Sequence, residues 1–148
     1  DTYFDSGGIH VEFADPYCPG LRASAVSHPG VVDGGTMVVI QGPRFSTRAE
    51  SQWFVRQGFT LVNMTGYPEA MLARELEMCY AAIALVTDLD AGVDVGSGVR
   101  AADVFAEFER NMVPFKRLVN EMIFRLDSER VCSHCLAHEG VELPFDLP

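Results

Sequence analysis

Apolar residues along the chain alternate between strand-sized and helix-sized patterns. Thr36-Met37-Val38-Val39-Ile40, entered through Gly34-Gly35, has the length and β-branched content of a strand. A turn-like stretch comes next, Gly42-Pro43-Arg44-Phe45-Ser46. Thr47-Arg48-Ala49-Glu50 then fits a capping box, in which a hydroxyl and a carboxylate satisfy free backbone N–H groups at a helix start. This predicts a helix running to about Gln57 and stopped by Gly58, which tolerates the left-handed cap conformation. Phe59 to Met64 is a second strand. Pro68 and Glu69 suit the first turn of a helix that continues to about Cys79. The most apolar run of the chain, Ala81-Ala82-Ile83-Ala84-Leu85-Val86, reads as a third, buried strand.

The resulting order, β-α-β-α-β with short connections, favours a largely parallel sheet with right-handed crossovers. Beyond it lies a loop rich in Gly and acid, residues 91–98. A last helical region carries Phe105, Phe108, Met112, Phe115, Val119 and Met122 at spacings of three and four. Pro114 is expected to kink or divide that helix. Residues 1–130 read as part of a single domain and 131–148 as an irregular tail.

Asp88 and Asp90 come directly after the apolar run, and α/β sheets bind ligands just past the carboxyl ends of their strands. Two acids so placed can divide proton work between them. Taken alone, Asp-x-Asp after a strand fits a solvated turn or a capping acid as well. The segments 42–46, 63–69 and 87–90 all lie at the carboxyl ends of predicted strands, so a parallel sheet gathers them on one edge.

Composition narrows the partners. Of 148 residues 48% are hydrophobic, enough for one ordinary core. The formal charge of −10, from 21 acidic and 11 basic residues, argues against nucleic acid or an anionic membrane as partner. No stretch has the length of a membrane-spanning helix, and a cytoplasmic, reducing setting is expected from four cysteines, too few for a disulfide scaffold. Cys132-Ser-His-Cys135 has a spacing that suits zinc or redox work, but no second pair stands near it in the sequence, and a flexible tail is the expectation there. The opening Asp1-Thr2-Tyr3-Phe4-Asp5 reads as the interior of a longer protein.

The motifs Gly35-Thr36-Met37-Val38, Gly-Pro-Arg-Phe-Ser-Thr-Arg-Ala-Glu at 42–50, Asn-Met-Thr at 63–65, Pro68-Glu69 and Thr-Asp-Leu-Asp at 87–90 occur in an order that resembles the trimeric purine nucleoside phosphorylases, and among them the 5′-methylthioadenosine phosphorylases. The resemblance spans most of residues 3–125 and corresponds to the carboxyl-terminal half of such an enzyme. It implies an α/β fold with a mixed, largely parallel central sheet flanked by helices, and a homotrimer. It also implies an amino-terminal half, carrying a Gly-rich phosphate loop and an Arg-His pair, supplied from outside this chain. The implied chemistry needs purine nucleoside and inorganic phosphate as co-substrates, and no cofactor or metal.

The roles implied by the resemblance are specific. Asp88 faces N7 of the purine and Asp90 lies near its exocyclic amine, with Thr87 beside them. Phe45 packs on the base and Ser46 borders it. Met64 lies under the ribose, and Thr65 helps hold phosphate. His10 resembles the histidine that a neighbouring subunit contributes to the 5′ end of the ligand. Ala101, Val104 and Phe105 line the 5′-alkylthio pocket. Inosine- and guanosine-cleaving relatives carry Asn at the position of Asp88 and Glu at that of Ser46, so this chain reads as the 6-aminopurine version. Gly66-Tyr67 departs from the Thr-Val of the family.

Such residues suit phosphorolysis. Adenine leaves poorly as an anion, and an acid at N7 activates it. Burial and a neighbouring carboxylate both favour a protonated Asp88, leaving Asp90 as acceptor. Two other readings stand beside this one: a phosphorylase for 6-oxopurine nucleosides such as inosine or methylthioinosine, and a non-catalytic purine-binding or assembly module. Arg44 and Arg48 are further candidates for attracting phosphate, with an Arg48–Glu50 pair as the structural alternative.

Overall fold

The computed structural model describes residues 2–4, 10–93, 98–126, 132–138 and 142. The chain divides into two compact units: residues 1–31, 66–83 and 125–148 form one, and residues 32–65 and 84–124 the other. Each is built around different chemistry.

The second unit carries the sheet. Strand β1 (Met37–Val39) pairs in parallel with β2 (Leu61–Asn63), with Met37 opposite Leu61, Val38 opposite Val62 and Val39 opposite Asn63. Parallel neighbours need a crossover, and helix α2 (Arg48–Arg56) supplies it. The capping box forms as the sequence predicts: Glu50 donates its backbone N–H to the Thr47 hydroxyl at 3.3 Å, and the Glu50 carboxylate accepts the Thr47 N–H at 2.7 Å. The other end is a Schellman motif. Gly58 adopts φ +77°, its N–H donates to the Val55 carbonyl, and the Phe59 N–H donates to that of Phe54. The Phe54 and Phe59 rings then meet at 6.4 Å, with Trp53 5.6 Å from Phe54. Phe54 is buried, a contribution of roughly 1.5–3 kcal/mol for a side chain of this kind.

The first unit contains helix α1 (Pro19–Val26), which the hydrophobic pattern did not signal, and α3 (Gly66–Glu75). Helix α3 ends at Glu75 rather than near Cys79, because the chain turns out of the helix with Glu77 at φ +54°. Its last residue and the segment that follows anchor the unit. The Glu75 carboxylate accepts from the Thr2 hydroxyl at 2.7 Å and the Tyr3 N–H at 2.8 Å. Glu77 accepts from the N–H groups of Ala137 and His138 at 2.9 and 2.8 Å. The Tyr80 hydroxyl donates to Glu69 at 2.6 Å, and burial, followed by that contact, pushes the Tyr80 phenol up to about 12.

Several expectations are corrected. Residues 81–86 form no strand: they alternate between half-buried and exposed, and no strand ladder engages them among the described residues. An apolar run is a strand only where a neighbour accepts its backbone hydrogen bonds. Pro114 does not divide the last helix, α4 (Ala101–Ile123), which runs through it for 23 residues. Pro114 and Arg110 are both exposed, so water can satisfy the Arg110 carbonyl that Pro114 deprives of a donor. The half-buried face of α4 includes Met112, Phe115, Val119 and Met122, as expected, but its first turns differ. Val104, Glu107 and Asn111 are half-buried there, whereas Phe105 and Phe108 are exposed. Finally, residues 133–135 form a 3₁₀ turn whose Cys135 is buried, so this part of the expected tail is packed. No described helix is long and apolar enough to cross a membrane.

The start of α2 makes two expectations about stability testable. Thr47→Ala removes the cap and is expected to lower the unfolding free energy of the intact protein by about 1 kcal/mol, read from the urea midpoint. The Arg44 guanidinium, then the Thr47 backbone and hydroxyl, hold the Glu50 carboxyl down at about 2. A depressed acid stabilises fully above its unfolded value of 4.5 and loses that contribution as pH falls through about 2. The stability difference between wild type and Glu50→Gln is therefore expected to shrink steadily across that window in pH-dependent urea titrations.

Candidate functional site

All but one of the candidate site residues fall in the sheet-bearing unit. β1 ends at Val39 and leads through Ile40 into the loop holding Phe45 and Ser46. β2 ends at Asn63 and leads directly to Met64 and Thr65. The two loops touch, because a Cβ placed on Gly42 would lie 3.1 Å from Met64 Sδ. Parallel pairing thus delivers two of the expected segments to the same edge.

Ser46 is the most informative residue of this edge. It is 8% exposed, and its Oγ has no hydrogen-bond partner within the described structure. A buried, unsatisfied hydroxyl costs about 1–3 kcal/mol, which a ligand polar group can recover. Phe45 beside it is partly exposed, available to pack against a flat ring. Asn63 and Thr65 brace each other: the Thr65 N–H donates to Asn63 Oδ1 at 3.2 Å, which leaves the Thr65 side chain exposed on the turn.

Thr87, Asp88 and Asp90 form the third loop. The Thr87 hydroxyl donates to one Asp88 oxygen at 3.0 Å, and the Asp90 N–H donates to the other at 2.8 Å. This two-residue reach closes an Asx turn, with Asp90 at φ +63°, a conformation Asp tolerates better than most residues. Asp90 in turn accepts from the Ser51 hydroxyl of α2 at 2.7 Å. The two acids therefore differ in environment, Asp88 exposed and Asp90 half-buried. The burial expected around Asp88 is not supplied by this unit.

Sequence reasoning missed Ser51. Its only signal was periodic, since Thr47, Ser51 and Phe54 line one side of α2, and Ser51 and Phe54 are its buried residues. The candidate phosphate arginines resolve differently. Arg44 is held by Glu50 through two bonds of 2.7 Å, so the anticipated partner of Arg48 belongs to Arg44 instead.

A cavity of about 190 Å³ opens beside the acids, lined by Asp88, Asp90, Val99, Arg100, Asp103 and Val104. It is below the roughly 300–1,000 Å³ of pockets that enclose a whole ligand of drug size. Val104, placed by the resemblance in the 5′-alkylthio pocket, is among its lining residues. Ala101 is exposed at the start of α4, and Phe105 is 66% exposed. His10 belongs to the other unit and is exposed. Its neighbours Gly8 and Ile9, and residues 94–97 of the acidic loop, lie outside the described residues.

Two parallel strands bring an unsatisfied hydroxyl and a methionine–threonine turn to one edge of an α/β unit that also holds the paired-acid loop, and comparison with known proteins gives the family. The model of the phosphorylase superfamily matches residues 1–123, and the chain belongs to that superfamily. It is 80% identical over its full 148 residues to the S-methyl-5′-thioadenosine phosphorylase of Mycolicibacterium smegmatis, of which it covers 57%. It is 71% identical to the enzyme of the same name from Mycobacterium tuberculosis, covering 56%. A methylthioadenosine phosphorylase of Schistosoma mansoni, solved with adenine, superposes with a TM-score of 0.77 at 31% identity, over 85% of this chain and 54% of that one. The chain spans about half the length of the curated relatives it matches.

The Ser51–Asp90 bond is testable by a double-mutant cycle in the intact protein. Ser51→Ala is expected to cost about 1.5–3 kcal/mol of unfolding free energy, and under about 1 kcal/mol in an Asp90→Asn background. Equal costs in both backgrounds would show that Ser51 does not hold Asp90.

Proposed function

We propose that the protein containing this chain cleaves 5′-methylthioadenosine with inorganic phosphate, giving adenine and 5-methylthioribose 1-phosphate. The observation that carries this reading is the pairing, on one unit, of a buried unpartnered Ser46 Oγ with the Asp88–Asp90 loop. The names of the two mycobacterial relatives support it.

In this reading a phosphate oxygen bonds to the anomeric carbon as its bond to N9 breaks. The electron pair of that bond moves into the purine, and a proton passes from the Asp88 carboxyl to N7. Asp90 is held by Ser51, so its oxygens are positioned as acceptors for the 6-amino group. Ser46 satisfies its hydroxyl on the edge of the base and Phe45 packs on its face. Met64 lies under the ribose, Thr65 offers its hydroxyl to phosphate, Thr87 fixes the orientation of Asp88, and Val104, with Ala101 and Phe105, faces the 5′ substituent.

Asp88 is exposed in this unit and the adjoining cavity is small, so the bound nucleoside and the remaining part of the protein complete the enclosure that favours its protonated form. That remainder also supplies the other phosphate contacts. The assembled enzyme is a homotrimer in the cytoplasm, with His10 reaching the 5′ end of a neighbour's ligand. No cofactor takes part in the reaction.

A second reading has support of its own. Relatives at 44% and 40% identity are a purine nucleoside phosphorylase of Streptomyces coelicolor and a probable S-methyl-5′-thioinosine phosphorylase of Methanothermobacter thermautotrophicus. Base selection separates the two. The intact protein is expected to release adenine from methylthioadenosine only when phosphate is present, and binding without phosphate-dependent turnover would leave only a purine-binding module. Asp88→Asn is expected to lower kcat/KM for the 6-amino substrate by about 10²–10⁴-fold, the range for loss of a general acid, and to raise the oxo-to-amino activity ratio. An unchanged ratio would contradict the assigned role of Asp88.

A further inference from the structure

The four cysteines of the chain, which the nucleoside chemistry does not use, come together in the first unit. Cys18 precedes α1, Cys79 lies beyond the end of α3, Cys132 precedes the 3₁₀ turn and Cys135 ends it. Their Sγ atoms all lie within 4.8 Å of one another, and none is in a disulfide. Cys132 Sγ is 3.6 Å from both Cys18 Sγ and Cys135 Sγ. A tetrahedral zinc with Zn–S bonds near 2.3 Å requires sulfurs roughly 3.8 Å apart, whereas a disulfide requires about 2.05 Å. We infer that Cys18, Cys79, Cys132 and Cys135 form a structural zinc-binding site, a closed tetrathiolate centre that fastens three distant segments of the first unit.

The surroundings are those of a built site. Cys18 and Cys135 are 2% and 1% exposed, so half of the ligand set is shielded from solvent. The Cys18 N–H donates to the Tyr80 carbonyl at 2.7 Å, which ties the ligand loops of Cys18 and Cys79 together. Arg74 is buried at 4% exposure and donates to the carbonyls of Asp15 at 2.8 Å and His134 at 3.0 Å. His134 lies between Cys132 and Cys135, so a buried cation grips the backbone of the turn that would carry two of four thiolates. Zinc with four thiolates has a net charge of −2, and a buried guanidinium on that turn suits it.

The spacing also agrees with this role. Cys132-x-x-Cys135 is the chelating pair common to structural zinc sites, and the second pair is assembled by the fold rather than by sequence proximity. Four protein ligands leave no open position, so the metal takes no part in the phosphorolysis and holds the polypeptide instead.

The test uses the intact protein, purified without a metal-chelating tag under reducing conditions. Elemental analysis is expected to give about one zinc per chain, and X-ray absorption at the zinc edge four sulfur neighbours near 2.3 Å. Cobalt substitution is expected to give the visible bands of a tetrahedral tetrathiolate, a readout independent of any variant. Cys135→Ser is expected to lower zinc content at least about tenfold, the loss of one of four ligands. If that variant does not fold, Cys79→Ser, at the exposed ligand, gives the same readout. Metal-free protein with four titratable thiols, two disulfides found by non-reducing mass spectrometry, or iron in place of zinc would each overturn the proposal.

Discussion

The parallel pairing of Met37–Val39 with Leu61–Asn63 governs what the sheet-bearing unit can do. Two parallel strands send the chain out of the sheet in the same direction, so the segments beyond Val39 and Asn63 must appear on one edge. Those segments hold Phe45-Ser46 after the first strand and Met64-Thr65 after the second. The crossover this pairing requires is α2, and α2 brings Ser51 to Asp90. A helix present for topological reasons thus also aims the carboxylate assigned to the 6-amino group.

That dependence gives the start of α2 two functions. The Thr47–Glu50 box and the Arg44–Glu50 fork fix where the helix begins, and Ser51 lies one turn after Thr47. The one Ser51 hydroxyl proton goes to Asp90 at 2.7 Å, and the same oxygen lies 3.2 Å from the Thr47 carbonyl, so Ser51 sits between the capped turn and the acid loop. The geometry of Asp90 consequently rests on local backbone hydrogen bonding rather than on a large apolar core. Asp88 differs: its two oxygens close its own turn, and this unit leaves its side chain exposed.

How much of this was legible in the sequence depended on how local each feature is. The capping box and the Gly58 terminus are written within a dozen residues, and both formed in full, Gly58 even completing a Schellman motif with Phe59. Strands β1 and β2 were visible because short apolar, partly β-branched runs stand there between turn residues. The run at 81–86 misled because apolar composition reports burial, not the presence of a hydrogen-bonding neighbour. Pro114 misled because a 23-residue helix can absorb the loss of one backbone bond on its wet side. The cysteine cluster was invisible because Cys18 and Cys79 reach Cys132 and Cys135 only through the fold of the first unit, and no spacing rule links them. Ser51 was hidden for a related reason, since its partner Asp90 lies 39 residues away.

The fold and the superfamily are established by the matching family model and by solved relatives that superpose on most of the chain. The central functional claim is narrower: Asp88, Asp90 and Ser46 together read a 6-aminopurine. The most direct measurement is a crystal structure of the intact protein with adenine. The account predicts an Asp88 oxygen within about 3 Å of N7, an Asp90 oxygen within about 3 Å of the exocyclic nitrogen, and the Ser46 hydroxyl satisfied at the base. Adenine seated elsewhere, or with N7 facing solvent and Ser46 still unpartnered, would contradict it.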